Sequence, residues 1–88
     1  MNKENYRKAY SRDNYQCTIC GQRATQIAHR IGQTKLNKKL YGNYIIDHVC
    51  NIKAVCSLEC NKKVDVSEIT NLNGVIEVLL DIINYDRS

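Results

Sequence analysis

Two pairs of closely spaced cysteines constrain this chain of 88 residues more than any other feature. Cys17 and Cys20 form the first pair, and Cys56 and Cys60 form the second. A chain of this length buries little apolar surface and needs a further source of stability. Four thiolates in two such pairs are typical of tetrahedral zinc, so we predict one structural Zn²⁺ bound by all four cysteines.

The fifth cysteine, Cys50, and the nearby His48 leave other ligand sets open. Either residue could replace Cys56 or Cys60 at the metal. A redox Cys-x-x-Cys motif is a second alternative, but such motifs sit at the start of a helix in a βαβ arrangement that this sequence lacks. We expect Cys50 to be a small buried apolar residue.

Composition gives weaker limits on the class of protein. The first residues are polar, and no apolar run approaches the roughly 20 residues that span a bilayer. We therefore expect a soluble cytoplasmic protein with no membrane partner, and in that reducing compartment cysteine pairs bind metals more often than they crosslink. The formal charge of +4 is compatible with binding a phosphate backbone, but many globular proteins share it.

Hydrophobic periodicity predicts a small α+β domain that spans residues 1–88. Residues 1–14 contain an N-terminal helix, and residues 67–88 contain a C-terminal helix. Between them, residues 15–66 form a zinc-stapled core of two strands and a helix, the last over residues 61–66. We see no linker or internal repeat that would divide the chain.

The predicted core contains two short strands and a long connection. Residues 25–31 and 51–55 are rich in β-branched side chains and read as strands. Pleating places His29 on the same face as Ile27. The connecting residues 32–43 are polar and lysine-rich, which predicts a loop with one or two helical turns and a glycine terminator.

The C-terminal segment has apolar residues at helical spacing. The stripe consists of Leu72, Val75, Ile76, Leu79, Leu80 and Ile83. Glu77 and Asp81 lie opposite, so the helix is amphipathic. We expect the stripe to pack against the zinc module, with a dimer interface as the alternative.

Four elements of the core together resemble the HNH family of nucleases, whose fold is termed ββα-metal. The elements are Cys17-x-x-Cys20, the strand Ile27-Ala28-His29-Arg30-Ile31, the run Asn51-Ile52-Lys53-Ala54-Val55-Cys56, and the pair Cys60-Asn61. They cover approximately residues 17–66, which is more than half of the chain. The resemblance implies a ββα-metal finger flanked by the two terminal helices.

The resemblance also implies catalytic roles for three residues. His29 matches the general base that activates water, and an imidazole with a pKa of about 6.5 suits that task. Asn51 matches the residue that orients the histidine through backbone contacts. Asn61 matches the ligand of a catalytic divalent ion, and its amide oxygen suits Mg²⁺ or Mn²⁺. The signature is therefore His-Asn-Asn.

One position departs from the family pattern. Many members have an aspartate or histidine as a metal ligand just before the base, and this chain has Ala28. Asp47 or His48 could complete the ligand shell. Without the family resemblance, His29 would be read as a buried histidine, and the two asparagines as caps of turns or helices.

The resemblance implies a metal-dependent DNA endonuclease or nickase of phage or mobile-element type. Basic residues that could face DNA are Arg30, Lys35, Lys38, Lys39, Lys53, Lys62 and Lys63. One alternative is a catalytically inactive, zinc-finger-like module that binds nucleic acid. Another is a protein-interaction module that uses the C-terminal helix to form a homodimer or to bind a larger partner.

Overall fold

The computed structural model describes residues 3–66 and 72–87, so the ends of the predicted terminal helices at residues 1–2, 67–71 and 88 lie outside it. The elements are α1 (Lys3–Arg12), β1 (Gln26–His29), α2 (Lys35–Ile46), a 3-10 turn (Val49–Asn51), β2 (Ile52–Val55), α3 (Leu58–Val64) and α4 (Leu72–Arg87). The predicted α+β class is confirmed. No helix within these two ranges is long and apolar enough to cross a membrane.

The two strands form an antiparallel pair in which His29 lies opposite Ile52, and Ala28 lies opposite Lys53. Directly opposed residues of a pleated pair point to the same face. His29 therefore shares one face with Ile27 and Ile52, while Ala28 lies on the other face.

Different helices cover the two faces of this sheet. On one face, Ala28 and Val55 pack with Cys17 and with Cys60 and Val64 of α3. On the other face lies a cluster of Ala9, Val49, Ile52, Tyr6 and Ile27, which brings in α1. The sheet is thus held between α1 and α3, and His29 faces the α1 side.

A polar clip fixes α1 against the chain around β2. The Arg12 guanidinium donates to the backbone oxygens of Val49 (2.8 Å) and Ile52 (2.7 Å). The adjacent Asp13 carboxylate accepts from the Ala54 N–H at 2.9 Å. These bonds satisfy backbone groups at the open edge of the sheet and hold α1 in place.

The predicted loop with one or two helical turns over residues 32–43 contains more helix than expected, because Lys35–Ile46 is helical apart from Gly42. Its first turn is capped by Thr34, whose hydroxyl accepts from the Asn37 N–H at 3.1 Å. The break expected at Gly42 is present, with φ 80° and ψ 164°. Helical structure resumes after it and ends at Ile46, with Asp47 as the C-cap, which the sequence pattern did not indicate.

The predicted core packing of the α4 stripe is only partly correct. The side facing the body carries Val75, Val78 and Ile82, which pack with Ile31 and Ile46. Most of the predicted stripe is instead half-exposed or more, namely Leu72, Ile76, Leu80 and Ile83. The apolar face of α4 is therefore wider than the part of it that packs against the rest of the described chain.

Candidate metal centre and histidine site

The four predicted cysteine ligands form a tight cluster. Their sulfur atoms all lie within 4.8 Å of one another, and the five cysteines of the chain are free thiols. The Cys20 and Cys56 sulfurs are 3.3 Å apart, and those of Cys56 and Cys60 are 3.8 Å apart. Tetrahedral zinc with bonds of about 2.3 Å separates its sulfurs by about 3.8 Å. Cys17, Cys20, Cys56 and Cys60 could therefore hold a metal ion such as zinc.

Local structure explains how the two pairs converge. The turn after Cys17 closes with a hydrogen bond from the Gly21 N–H to the Cys17 oxygen (2.9 Å), and Gly21 has a φ of 81° that favours glycine. The second pair follows β2. There Ser57 caps α3 by accepting from the Cys60 N–H at 3.3 Å. This cap starts the helix at Leu58, three residues earlier than predicted.

The sulfur cluster is electrostatically suited to a cation. Burial acts to raise the pKa of Cys17, but hydrogen bonds from backbone N–H groups bring that pKa to about 6. The pKa of Cys56 is raised to about 12, chiefly by its hydrogen bond with Cys20. Without a metal, the neighbouring sulfurs thus disfavour the loss of all four thiol protons. A bound cation would supply the positive charge that stabilises four thiolates.

The alternative ligands lie elsewhere. The Cys50 sulfur contacts the Asp81 backbone oxygen at 3.7 Å. The His48 Nε2 atom is 2.9 Å from an Asp86 oxygen, and its Nδ1 accepts from the Cys50 N–H at 3.1 Å. Within residues 3–66 and 72–87, the four-cysteine cluster is the one group that meets the geometry of a metal site.

His29 is buried on the face that it shares with Ile27 and Ile52, and it has two polar neighbours there. The residue is 9 % exposed, and its Nε2 atom is 3.5 Å from the Tyr6 hydroxyl and 3.7 Å from an Asp47 oxygen. The Tyr6 ring meets the imidazole edge-on, with ring centres 6.0 Å apart. Asp47 and His48 were the two residues predicted to complete the ligand shell of a catalytic metal ion. Asp47 lies close to His29, whereas His48 is bonded to Asp86.

A cavity of about 350 Å³ lies beside Tyr6 and Asp47, the two polar neighbours of His29, but His29 itself does not line it. Its lining consists of Tyr6, Gln33, Lys38, Asn43 and Asp47. Sequence reasoning missed Tyr6, Gln33 and Asn43, which come from three separate segments. No local pattern marks them.

The charge state of His29 follows from its environment. Burial lowers the pKa of the imidazole, and the positive charge of Lys38 acts in the same direction. The Asp47 carboxylate opposes both by raising it. Because the net shift is downward from 6.5, the ring is neutral at pH 7 and can accept a proton.

Asn51 is fully buried, and its side chain is bonded to backbone on both sides. Its Oδ1 accepts from the Ile31 N–H at 2.8 Å. Its Nδ2 donates to the oxygens of Ile31 (3.1 Å) and Ile46 (2.8 Å). These partners lie two residues after His29 and one residue before Asp47 in the chain.

Asn61 lies on the α3 side of the sheet. Its Nδ2 donates to the Gln26 side chain at 3.2 Å and approaches the Ile27 oxygen at 3.5 Å. The imidazole of His29 projects toward the opposite, α1-covered face. The structure therefore gives His29 and Asn61 separate sets of partners.

The predicted basic contacts are spread over several surfaces. Lys38 lines the cavity near His29, whereas Lys35, Lys39, Lys62 and Lys63 are exposed. Lys53 and Arg30 border a shallow cleft beside Thr18, Ile19 and Val64.

The Arg30 guanidinium is bonded to the Cys50 oxygen (3.1 Å) and to Asp81 (2.9 Å). Arg30 therefore has two partners within the chain.

No family model, curated protein or solved structure matches this chain.

Proposed function

We propose that this chain is a metal-dependent DNA endonuclease or nickase of the HNH type. In this proposal a zinc-stapled ββα unit supports His29, which acts as the general base. The observation that carries the proposal is the position of His29. Its Nε2 atom lies 3.7 Å from an Asp47 oxygen beside a polar cavity that Lys38 lines.

Zinc would have a structural role. Four cysteine ligands fill a tetrahedral shell and leave no position open for substrate or water. The ion would join the turn after Cys17 to the junction of β2 and α3. That junction anchors the strand pair from which His29 projects.

The surroundings of His29 suit proton transfer. A neutral imidazole can take a proton from a water molecule, and in this proposal the water enters from the cavity that Tyr6 and Asp47 line. The imidazolium that forms would be stabilised by the Asp47 carboxylate, which already favours the charged form of the ring. The Tyr6 hydroxyl, 3.5 Å from the same nitrogen, restricts where the ring can lie.

The cavity also contains suitable donors for a hard divalent cation. Asp47 offers a carboxylate, and Gln33 and Asn43 offer amide oxygens, which together match the ligands that Mg²⁺ and Mn²⁺ take. Such an ion would neutralise charge on the scissile phosphate. We place Asp47 ahead of Asn61 as its protein ligand, since the Asn61 amide is bonded to Gln26.

Plasmid nicking with Mg²⁺ or Mn²⁺ tests the proposal. His29→Ala is expected to lower the rate at least about 100-fold, the usual contribution of a general base. Asp47→Asn should give a comparable loss. Glu77→Gln is the matched control, because it neutralises an exposed carboxylate on α4 and should cleave like the wild type. Equal cleavage by the wild type and His29→Ala would exclude His29 from the mechanism.

The pH profile gives a second readout from the same assay. Because burial lowers the pKa of His29, the base form persists below pH 6.5, and the acid limb of the rate should lie below that value. Asp47→Asn removes a group that raises this pKa, so it should move the limb to lower pH. If the cleavage rate instead rose with a midpoint above pH 7, His29 in these surroundings would not be the general base.

A non-catalytic nucleic-acid-binding module is the second candidate. It is favoured by Ala28, which faces the α3 side and offers no metal ligand, and by exposed lysines on α2 and α3. This function predicts salt-dependent DNA binding. It also predicts equal affinity for wild type and His29→Ala, with no cleavage in either divalent ion.

A further inference from the structure

The Tyr6 hydroxyl stands between the buried imidazole of His29 and the cavity. His29 does not line the cavity, so its ring is set back from water that fills that space. Tyr6 does line the cavity, and its hydroxyl oxygen lies 3.5 Å from the His29 Nε2 atom. One hydroxyl group therefore borders both the water of the cavity and the nitrogen of the base.

Asp47 is the other residue that lines the cavity and approaches the ring within the described parts of the chain. Its carboxylate oxygen is farther from Nε2, at 3.7 Å. A carboxylate accepts hydrogen bonds but has no proton of its own to pass to the ring, whereas a phenol hydroxyl donates and accepts. Tyr6 is therefore the better suited of the two to carry a proton from the cavity to His29.

The Gln33 side chain bears on where the Tyr6 hydroxyl proton points. Burial and the charge of Asp47 raise the pKa of the Tyr6 phenol, whereas a hydrogen bond with Gln33 acts to lower it. A hydrogen bond lowers the pKa of a phenol when it is donated to the phenol oxygen, because it then stabilises the anion. Gln33 thus occupies one acceptor site of that oxygen, and the hydroxyl proton is left for His29.

We propose that the Tyr6 hydroxyl relays a proton from the attacking water to His29. The inference rests on the proposed nuclease function and adds a second catalytic residue to it. In this step the phenol proton passes to the His29 Nε2 atom while the phenol oxygen takes a proton from the water. Tyr6 therefore ends the step with one proton, as it began.

The rest of the step balances at phosphorus. The hydroxide left by the water forms a bond to phosphorus with its electron pair. The bond from phosphorus to the leaving sugar oxygen breaks, and its electron pair stays on that oxygen, which takes a proton from solvent. The His29 imidazolium then releases its extra proton to solvent, so the enzyme returns to its starting state.

Tyr6→Phe removes the relay group and keeps the ring. The Tyr6 and His29 rings meet edge-on with centres 6.0 Å apart, a contact that phenylalanine retains. The matched control is Tyr10→Phe, which removes the same hydroxyl from the same helix at a residue that does not line the cavity. Circular dichroism and thermal unfolding compare the fold of both variants with that of the wild type.

Single-turnover plasmid nicking, with the divalent ion that supports wild-type cleavage, tests the relay. Tyr6→Phe should lower the rate at least about tenfold with unchanged DNA affinity. This loss is smaller than the roughly 100-fold effect of losing a general base, because water can partly fill the space of the hydroxyl. Tyr10→Phe should nick like the wild type.

The same assay separates failure of the relay from failure of the nuclease proposal. Equal nicking by Tyr6→Phe and the wild type, with His29→Ala inactive, would overturn the relay and leave the nuclease function standing. A wild type that does not nick with either divalent ion would overturn both.

Rates in mixtures of H₂O and D₂O test the relay in the wild type without any substitution. Two protons move together in the relay, so the plot of rate against deuterium fraction should bow below a straight line. Direct transfer from water to His29 moves one proton and predicts a straight plot. A straight plot for the wild type would therefore overturn the relay, whatever the stability of the Tyr6→Phe variant.

Discussion

At the scale of single residues, Asn51 joins two segments that are distant in sequence. Its amide bonds to Ile31, just beyond β1, and to Ile46, at the end of α2. Those segments also carry His29 and Asp47. The buried amide thus sets how closely the imidazole and the carboxylate approach each other.

Asn51→Ala should destabilise the protein by about 3 kcal/mol, because it leaves buried backbone groups of Ile31 and Ile46 without partners. Asn51→Asp retains the acceptor but loses both donors, so it should cost at least as much. Urea unfolding measures the change. Asn73→Ala, an exposed change on α4, should stay within about 0.5 kcal/mol. A similarly small effect at Asn51 would show that its bonds are dispensable.

Residue-level prediction worked where the chemistry is local. The four cysteines could be identified because metal ligands in pairs have a narrow range of spacings. Beside His29, Asp47 was named as a possible partner of the site, but Tyr6 could not be, because it lies 23 residues before His29 on another helix. Contacts between such segments depend on packing that no motif encodes.

At the scale of elements, α2 shows the limit of reading one glycine as a stop. Three lysines and Gly42 suggested a loop with one or two helical turns, but the Thr34 cap and the residues Leu36, Leu40 and Tyr44 at four-residue spacing are helix signals. The break expected at Gly42 is present, and the helical structure that resumes after it was not expected. Lys38 and Asn43, on either side of the bend, both line the cavity.

Gly42→Ala should destabilise the fold by about 1–3 kcal/mol, because its φ of 80° and ψ of 164° are accessible almost only to glycine. A methyl group there would meet no atom within 4 Å, so the cost is conformational rather than steric. Thermal unfolding should show a drop of several degrees. Lys39→Ala, an exposed change on the same helix, should leave the midpoint unchanged. Equal midpoints for both variants would mean that the bend is not strained.

Periodicity identified α4 but not the side that faces the body. The helix has apolar residues around more than half of its circumference, so the sequence pattern alone allows several orientations. The ion pair between Arg30 and Asp81 and the contacts of Asp86 select one of them. Such contacts depend on partners outside the helix.

At the scale of the whole molecule, the sulfur cluster closes a long stretch of chain. Its ligands run from Cys17 to Cys60 and enclose both strands. A small core gains much of its stability from such a closure. The α+β class followed from size, periodicity and cysteine spacing, whereas the relative placement of α1, α2 and α4 depends on tertiary contacts that those features do not encode.

Removing a ligand should therefore unfold much of the protein. Cys60→Ser should lose bound zinc and lower the unfolding midpoint by more than about 10 °C, and a chelator should do the same to the wild type. Cys50→Ser is the control, since Cys50 lies outside the cluster and should keep one zinc per chain. Metal analysis and thermal scans measure both effects. Wild type that melts identically with and without chelator would contradict a structural metal.

Helix α1 supplies part of the surroundings of His29, so the cysteine-bearing segment does not carry that site by itself. Tyr6 stands next to the imidazole, and the Asn5 side chain donates to the backbone oxygen of Asp47 at 2.9 Å. A shortened chain starting at Cys17 would retain every sulfur ligand yet lack both contacts. Transplanting the cysteine-bearing segment into another protein would therefore require α1 as well, if the surroundings of His29 are to be kept.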